Sequence, residues 1–175
     1  RNGVNSFGID ILPNQLAHAE RSAKLQTHSG VHFINGDAAC LPFRDDSFDA
    51  ACCIESAFHY PDKRSFLREV SRVLRPGARL AVADILLLDK YSHHWVHSGF
   101  KKALASPGLF TEADYIESSR SCGLTLRSSI DITHGVMRSL VTVGKLLWRK
   151  RRDVTAAGYS RWSIWLTLSA FFHLH

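Results

Sequence analysis

The sequence predicts an α/β fold in which helices flank a mostly parallel sheet. Short apolar runs alternate along the chain with amphipathic helical segments, and the run at 79–88 is so continuously apolar that we expect a strand covered on both faces. A content of 45% hydrophobic and 22% charged residues is typical of a globular protein. At 175 residues, we expect a single domain over 1–175.

The first half of the chain alternates strand and helix. A strand over 4–12 leads to Pro13, which suits the first turn of a helix, and Leu16, Ala19 and Ala23 give that helix one buried face. Two further apolar runs predict strands, at 31–35 and 48–55.

A second group of elements begins at Pro61. Apolar residues there recur with the period of a helix that ends at Pro76-Gly77. Residues 89–110 show no clean period, so we expect an insertion. Thr111, with Asp114 three positions later, can cap a helix that stops at Gly123. The remaining predicted elements are a strand at 124–132 and a helix at 133–152.

Positive charge is concentrated towards the C-terminus. The net charge is +6, and Lys145, Arg149, Lys150, Arg151 and Arg152 lie close together. Over 145–175 we expect a basic helix end and an apolar tail, either solvated and packed or resting as a peripheral contact on an anionic membrane surface. Nucleic acid is not an expected partner, because basic and aromatic residues do not interleave across the body of the chain.

The cysteines predict a reduced, cytoplasmic chain, since their spacing contains no C-x-x-C pair. Cys52 and Cys53 are neighbours on an expected strand, so their side chains point to opposite faces and do not bind one metal ion together. We interpret both as buried apolar filling. His93 and His97 could form a pair on a helix, but no third ligand lies within the same turn, so no metal site is expected.

Three carboxylates follow three successive strands. Asp10, Asp37 and Glu55 each stand near or just after a predicted strand end. Because the carboxyl ends of parallel strands share one edge of a sheet, we expect one rim that carries all three. One carboxylate there can accept the hydroxyls of a ribose and another the amine of adenine, which predicts a nucleoside-containing cofactor. The spacing alone fits a nicotinamide enzyme as well as a methyl-transfer enzyme.

Three stretches carry a more specific resemblance: FGIDILPNQLAHAERSA, INGDAACLPFRDDSFDAACCIESAFHY and FLREVSRVLRPGARLAVADIL. Together they resemble the class I S-adenosylmethionine-dependent methyltransferases, nearest to the branch that methylates small lipophilic molecules such as tocopherols, sterols and polyketide-derived compounds. The resemblance covers about residues 4–88. It implies a Rossmann-like fold, S-adenosylmethionine as cofactor, and methylation of an oxygen, carbon or nitrogen. A nicotinamide enzyme would need a Tyr-x-x-x-Lys or similar set, which the sequence lacks.

The resemblance also implies roles for residues that follow the first two strands. Asp10 resembles the acid that holds the ribose hydroxyls, with Ile11 or Leu12 against the adenine. Asp37 resembles the acid that binds the adenine amine, and Ala38 would supply a backbone contact beside it.

Further roles are implied after the third strand. Ile54, Glu55 and Ser56 would face the methionine end of the cofactor. His59 is the expected general base, with Glu55 orienting it or the cofactor's ammonium group. In the family the insertion often covers the substrate, so three aromatic residues of 89–110 are candidate walls of the acceptor pocket: Tyr91, Trp95 and Phe100.

One departure from the family concerns its Gly-rich loop, an acid followed by G-x-G-x-G after the first strand. The sequence opens at Arg1 without it. In the family that first strand lies between the strands of 4–12 and 48–55. We therefore expect a truncated fold that lacks its first, central strand, and either abnormal pairing of the flanking strands or a longer protein. The alternative function is a non-catalytic methyltransferase-like protein associated with a membrane surface.

Overall fold

The computed structural model describes residues 4–25, 30–88 and 106–150. These residues separate into two compact units. The described residues of 4–88 and 107–125 belong to the first unit, and 106 and 126–150 to the second. The single domain expected over 1–175 stays a prediction.

The first unit opens with two parallel strands and a helix between them in the chain. The elements are β1 (Ser6–Asp10), α1 (Pro13–Leu25) and β2 (Val31–Asn35). The ladder runs from Ser6 opposite Val31 to Asp10 opposite Asn35. Pro13 opens α1, where its missing N–H removes no helical hydrogen bond. Leu16 is the buried residue of α1, so this layer is thinly packed.

A second pair of parallel strands follows. The elements are β3 (Phe48–Ile54), a 3₁₀ turn (Ala57–His59), α2 (Lys63–Val73) and β4 (Leu74–Ala83). From Ala50 opposite Arg79 the ladder continues to Ile54 opposite Ala83. The Asp62 side chain caps α2 by accepting the backbone N–H of Ser65 at 3.0 Å, which is why the helix begins after Pro61 rather than at it.

The densest packing lies where α2 covers the β3–β4 pair. Leu67 at its centre is 1% exposed. The buried cluster consists of Cys53, Ala57, Phe66, Leu67, Val70 and Leu74. The helical spacing predicted in the sequence is therefore confirmed, because the apolar residues of α2 share one buried face.

Lys63, at the start of α2, is 3% exposed. Its Nζ donates to the carbonyl oxygens of Gly108 (2.5 Å) and Tyr60 (3.3 Å) and lies 5.3 Å from the ring centroid of Phe110. Burying an ammonium group is costly unless such partners replace water. Lys63 thus ties the start of α2 to the segment that precedes the next helix.

The next helix, α3 (Glu112–Ser121), begins with the predicted cap. Thr111 Oγ1 accepts the N–H of Asp114 at 3.1 Å, and the Asp114 carboxylate accepts the N–H and hydroxyl of Thr111, both at 2.8 Å. The helix ends before Gly123, whose φ of +80° favours glycine. Ser71 of α2 donates its hydroxyl to the carbonyl of Cys122 at 2.7 Å.

One predicted strand has different bounds in the structure, and another does not form. The strand expected at 79–88 runs instead over Leu74–Ala83, because β3 ends at Ile54 and offers no ladder partner beyond it. The strand expected at 124–132 is absent: neither described ladder includes this segment, and the side chains of Leu126 and Ile130 are 51% and 77% exposed.

Two burial predictions are also wrong: the strand expected at 79–88 is not covered on both faces, and Cys52 is not buried. Cys53 is buried against α2, whereas Cys52 is exposed. Ala81, its partner across the ladder, is exposed as well. Neighbouring strand residues point to opposite faces, as predicted, but the described residues cover only the Cys53 face.

The second unit contains α4 (Thr133–Arg149), in agreement with the helix predicted at 133–152 as far as the described residues extend. The Asp131 carboxylate accepts the backbone N–H of Thr133 at 2.8 Å, which satisfies one of the unpaired donors at the helix start.

The described strands form two separate ladders, β1 with β2 and β3 with β4. Ring contacts join them: Phe7 of β1 lies 5.5 Å from Phe43 and 5.7 Å from Phe48, measured between ring centroids. The interruption falls between β1 and β3, where the resemblance predicts that a central strand is missing. Parallel strands with flanking helices confirm the predicted α/β class.

Candidate functional site

The turn after β1 presents Asp10 beside two exposed apolar side chains. Asp10 Oδ1 accepts the backbone N–H of Leu12 at 2.8 Å. The side-chain amide of Asn35, opposite Asp10 in the ladder, donates to the carbonyls of Asp10 and Ile11 at 2.9 and 3.0 Å. These bonds fix the turn. Within the described residues the second carboxylate oxygen of Asp10 has no hydrogen-bond partner, and Ile11 and Leu12 are 64% and 56% exposed.

The turn after β2 repeats this arrangement around Asp37. Its Oδ1 accepts the N–H of Ala39 at 2.8 Å, and its carbonyl oxygen accepts the N–H of Cys40 at 3.0 Å. The other carboxylate oxygen again has no partner in the part of the chain described. Ala38, inside the turn, packs against the buried cluster. Asp10 and Asp37 follow neighbouring parallel strands, so they lie at the same sheet edge.

The chemistry of this edge fits a nucleoside. A ribose diol and an adenine amine are hydrogen-bond donors, and among the described residues each of the two acids keeps one acceptor oxygen for them. The exposed side chains of Ile11 and Leu12 offer apolar surface for a purine ring. The residues present therefore fit the adenosine part of the expected cofactor.

Glu55 directly follows β3 and adopts a left-handed backbone conformation with φ +52°. Its backbone N–H donates to the carbonyl of Ala83 at 2.9 Å, and its side chain is exposed, as is 67% of Ile54. His59 is exposed at the end of the 3₁₀ turn, with its ring 4.2 Å from that of Phe58. No hydrogen bond joins Glu55 to His59 among the described residues, and their catalytic pairing stays a prediction.

Tyr60 follows the 3₁₀ turn and contacts residues at the end of β3 and in the loop after it. Its hydroxyl lies 2.7 Å from Ser56 Oγ and 3.8 Å from Cys53 Sγ. Burial raises the pKa of Tyr60 to about 12, and the charge of Asp10 is a smaller cause of the same sign. Burial likewise raises the pKa of Cys53, which keeps its thiol protonated at neutral pH and agrees with a packing role.

Asp84, which was not among the residues predicted from the sequence, holds the 3₁₀ turn after β3 in place. It follows β4 directly, and its Oδ1 accepts the backbone N–H of Phe58 at 2.9 Å. Its Oδ2 accepts a hydrogen bond from the Tyr115 hydroxyl of α3. Burial and the neighbouring Asp84 raise the pKa of Tyr115, so this phenol stays a donor. The feature of the sequence that could have pointed to it is that Asp84 is the single acid within the apolar run at 79–88.

A separate open groove of about 260 Å³ lies between α1 and the β1–β2 pair. Its lining is mostly apolar and includes Leu16, Ala19 and Phe33. Asp10 is the one predicted cofactor residue among its described lining residues. The groove is therefore not the place where the strand-end carboxylates meet.

Some predicted site residues lie outside the described residues. These are the candidate pocket walls Tyr91, Trp95 and Phe100, the histidines of the insertion, and the tail after residue 150. In the described ranges, no three His, Cys, Asp or Glu side chains are grouped so as to hold a metal ion.

Comparisons with known proteins agree with this geometry. A family model described as a methyltransferase domain matches residues 1–82. O-methyltransferase rstn1 of Aspergillus nomiae is 44% identical over 85 residues, covering 48% of this chain and 38% of that protein. O-methyltransferase resE of Aspergillus sclerotiorum is 33% identical over 135 residues, covering 77% and 51%. Over residues 1–82 the chain is therefore similar to the methyltransferase-domain family.

The fold of this chain also occurs in solved structures. The [4+2]-cyclase SpnF superimposes with a TM-score of 0.79 at 22% identity, over 98% of this chain and 60% of that one. A protein named as a cyclase shares the fold, so activity has to be argued from residues. The chain spans about half or less of the length of the two curated relatives described above. Among its described helices, none combines the length and the apolar character that a membrane span requires.

Proposed function

We propose that this protein transfers a methyl group from S-adenosylmethionine to an oxygen, carbon or nitrogen of a small, lipophilic acceptor. The observation that carries the proposal is the pair of acids at adjacent parallel strand ends, Asp10 and Asp37, each with one oxygen held by its own turn and one left to accept. The names of the two relatives favour oxygen as the methylated atom.

In this proposal the first strand pair binds the adenosine. Asp10 accepts the ribose hydroxyls, Ile11 and Leu12 pack against the adenine, and Asp37 accepts its amine beside the backbone of Ala38. Exposure of these apolar side chains and the rigid turn after each strand support the assignment. The bound cofactor supplies an electrophilic methyl group on a sulfonium sulfur.

The second strand pair serves the methionine end and the acceptor. Glu55 accepts hydrogen bonds from the ammonium group, and Ile54 and Ser56 flank it. His59 takes the proton that an acceptor hydroxyl loses, while alignment and exclusion of water contribute most of the rate. The aromatic residues Tyr91, Trp95 and Phe100 form the acceptor pocket.

Calorimetric titration with S-adenosylhomocysteine tests the cofactor assignment. Because each acid accepts a charge-assisted hydrogen bond, Asp10→Ala and Asp37→Ala should each weaken binding by about ten- to a hundredfold. Glu20→Ala and Asp49→Ala remove equal charge from exposed positions in α1 and β3 and should leave affinity unchanged. Binding that survives the double substitution of Asp10 and Asp37 rejects the assignment. A wild-type chain that binds nothing favours the non-catalytic alternative.

We further propose that the protein works in the cytoplasm with a peripheral membrane contact through α4. The described side chains of Arg138, Lys145, Arg149 and Lys150 are exposed, and Leu146 and Trp148 are 50% and 59% exposed. No acid lies within 133–150, so this helix suits an anionic lipid surface. Flotation with phosphatidylserine vesicles should fall on Lys145→Glu and Arg149→Glu together. Equal flotation with neutral phosphatidylcholine vesicles would reject the electrostatic contact.

A further inference from the structure

Two side chains of α2 bind the loop that follows β2. The Arg72 guanidinium donates five hydrogen bonds between 2.7 and 3.1 Å: two to Glu69, one each to the carbonyls of Leu41 and Phe43, and one to Asp45. Five is the full number of N–H donors on a guanidinium. The Glu69 carboxylate in turn accepts the backbone N–H of Leu41 at 2.8 Å.

Leu41 is the point where this pair holds the chain, since both its N–H and its carbonyl are bound. It closes the Asp37 turn (residues 37–41), whose other end continues directly from β2. The turn is therefore fixed at one end by the β1–β2 ladder and at the other by Glu69 and Arg72. The direction in which the Asp37 carboxylate points depends on both.

The Glu69–Arg72 pair is suited to this task. Its side chains are 20% and 30% exposed, so water competes only partly for their hydrogen bonds. Hydrogen bonds from Arg72 lower the pKa of Glu69, which keeps the carboxylate ionised at neutral pH. The planar fork of arginine meets three carboxylate oxygens and two backbone carbonyls at once, a geometry that the single ammonium of lysine does not reproduce.

We propose that Glu69 and Arg72 are positioning residues for adenine recognition: by fixing Leu41 they hold the Asp37 turn so that its carboxylate selects a purine with a 6-amino group. The inference rests on the proposed function, because it assigns that amine to S-adenosylmethionine. The ribose contact at Asp10 does not depend on the pair, because that turn is held by Asn35. Loss of the pair therefore removes base selection more than it removes binding.

The test compares the affinities of S-adenosylhomocysteine and S-inosylhomocysteine, which carries a carbonyl oxygen in place of the amine. The wild-type chain should prefer the adenine compound by about tenfold or more, the worth of one charge-assisted hydrogen bond. Arg72→Ala and Arg72→Lys should reduce this preference to about threefold or less. Arg75→Ala is the matched control, since Arg75 binds the carbonyl of Asp46 and the Asp49 side chain, beyond Leu41. It should keep the wild-type preference.

A purely structural role would weaken both compounds equally and leave the preference intact, and that result overturns the proposal. Full preference in Arg72→Lys would also overturn it, because charge alone would then suffice. Hydrogen exchange of the Leu41 amide provides a readout without ligand: it should accelerate in both Arg72 variants and not in Arg75→Ala. A wild-type chain that binds neither compound rejects the proposed function itself, whereas binding with an unchanged ratio rejects only the positioning role.

Discussion

The two strand pairs of the first unit are built alike and packed differently. In each, a helix lies between two parallel strands in the chain, yet Leu16 is the buried residue of α1 while five residues of α2 are buried. The acids assigned to the nucleoside follow the thinly packed β1–β2 pair. The β3–β4 pair contributes the cluster around Leu67 and, through α2, the bonds that fix the Asp37 turn. The main buried cluster and the acids proposed to bind the nucleoside thus lie in different strand pairs.

The largest difference in stability between the two strand pairs should come from Leu67→Ala. Leu67 is 1% exposed at the centre of the cluster, so its truncation should lower the free energy of unfolding by about 2–5 kcal/mol. Leu16→Ala makes the same chemical change in α1, where few side chains close around it, and should cost roughly 1–2 kcal/mol. Urea denaturation of both variants measures the difference. Equal losses would show that the layers are packed alike in solution.

Tyr115→Phe should have the next largest effect, because it leaves Asp84 Oδ2 without its donor at the edge of the packed layer. We expect a loss of about 1–3 kcal/mol in the free energy of unfolding. Asp84→Asn keeps an acceptor for Phe58 and should cost less than Asp84→Ala. If the asparagine and alanine variants unfold at the same urea concentration, the two hydrogen bonds do not hold the 3₁₀ turn.

The sequence was sufficient to find the acids of the rim, because their position at strand ends is a local property. Asp10 and Asp37 needed only the strand boundary and the parallel arrangement. Asn35, Asp84 and Arg72 were missed for the opposite reason. Each of them also bonds to a residue 24 to 31 positions away in the chain, and no local pattern reports such a contact.

The same distinction explains the outcome for the secondary structure. Helices α2 and α3 were predicted from spacing and caps, which are local, and both are present. The strand expected at 124–132 had a suitable composition, but a strand also needs a neighbour to bond with. The prediction that Cys52 is buried was wrong for a similar reason. The alternation of side chains along a strand tells which face a residue lies on, but not whether another element covers that face.

Loss of the N-terminal cap of α3, the helix that packs against α2, should have a smaller effect on stability. Asp114→Asn should lower the free energy of unfolding by about 1 kcal/mol at neutral pH. Hydrogen bonds from Thr111 lower the pKa of Asp114, so the folded state binds fewer protons than the unfolded chain below the ordinary carboxyl value. The stabilisation is complete above that value and is lost as pH falls through the folded-state pKa.

Urea denaturation between pH 7 and pH 3 follows this loss. The gap between wild type and Asp114→Asn should narrow as the solution is acidified. Glu112→Gln removes a carboxylate from the same helical turn without disturbing the bonds to Thr111 and serves as control. A gap of constant size across the whole range would mean that the ionised form of Asp114 adds nothing to the cap.

Glu55 directly follows β3, at the edge of the sheet where the cofactor is proposed to bind. Its substitution tests stability and cofactor affinity together, and the expected change in stability is the smallest of those predicted. A left-handed conformation costs an L-residue about 1–2 kcal/mol, and glycine avoids that cost while giving up about 0.5–1 kcal/mol of chain entropy. With φ at +52°, Glu55→Gly should therefore raise the free energy of unfolding by up to about 1 kcal/mol. Glu55→Ala keeps the Cβ and should show no such gain.

Affinity for S-adenosylhomocysteine should move the other way. If the Glu55 carboxylate binds the ammonium group, the glycine and alanine variants lose affinity together, by about tenfold or more, although only one of them becomes more stable. Such a divergence would mean that a strained backbone position carries a carboxylate because binding requires it. Unchanged affinity in both variants would instead remove Glu55 from the site and confine cofactor recognition to the thinly packed β1–β2 pair.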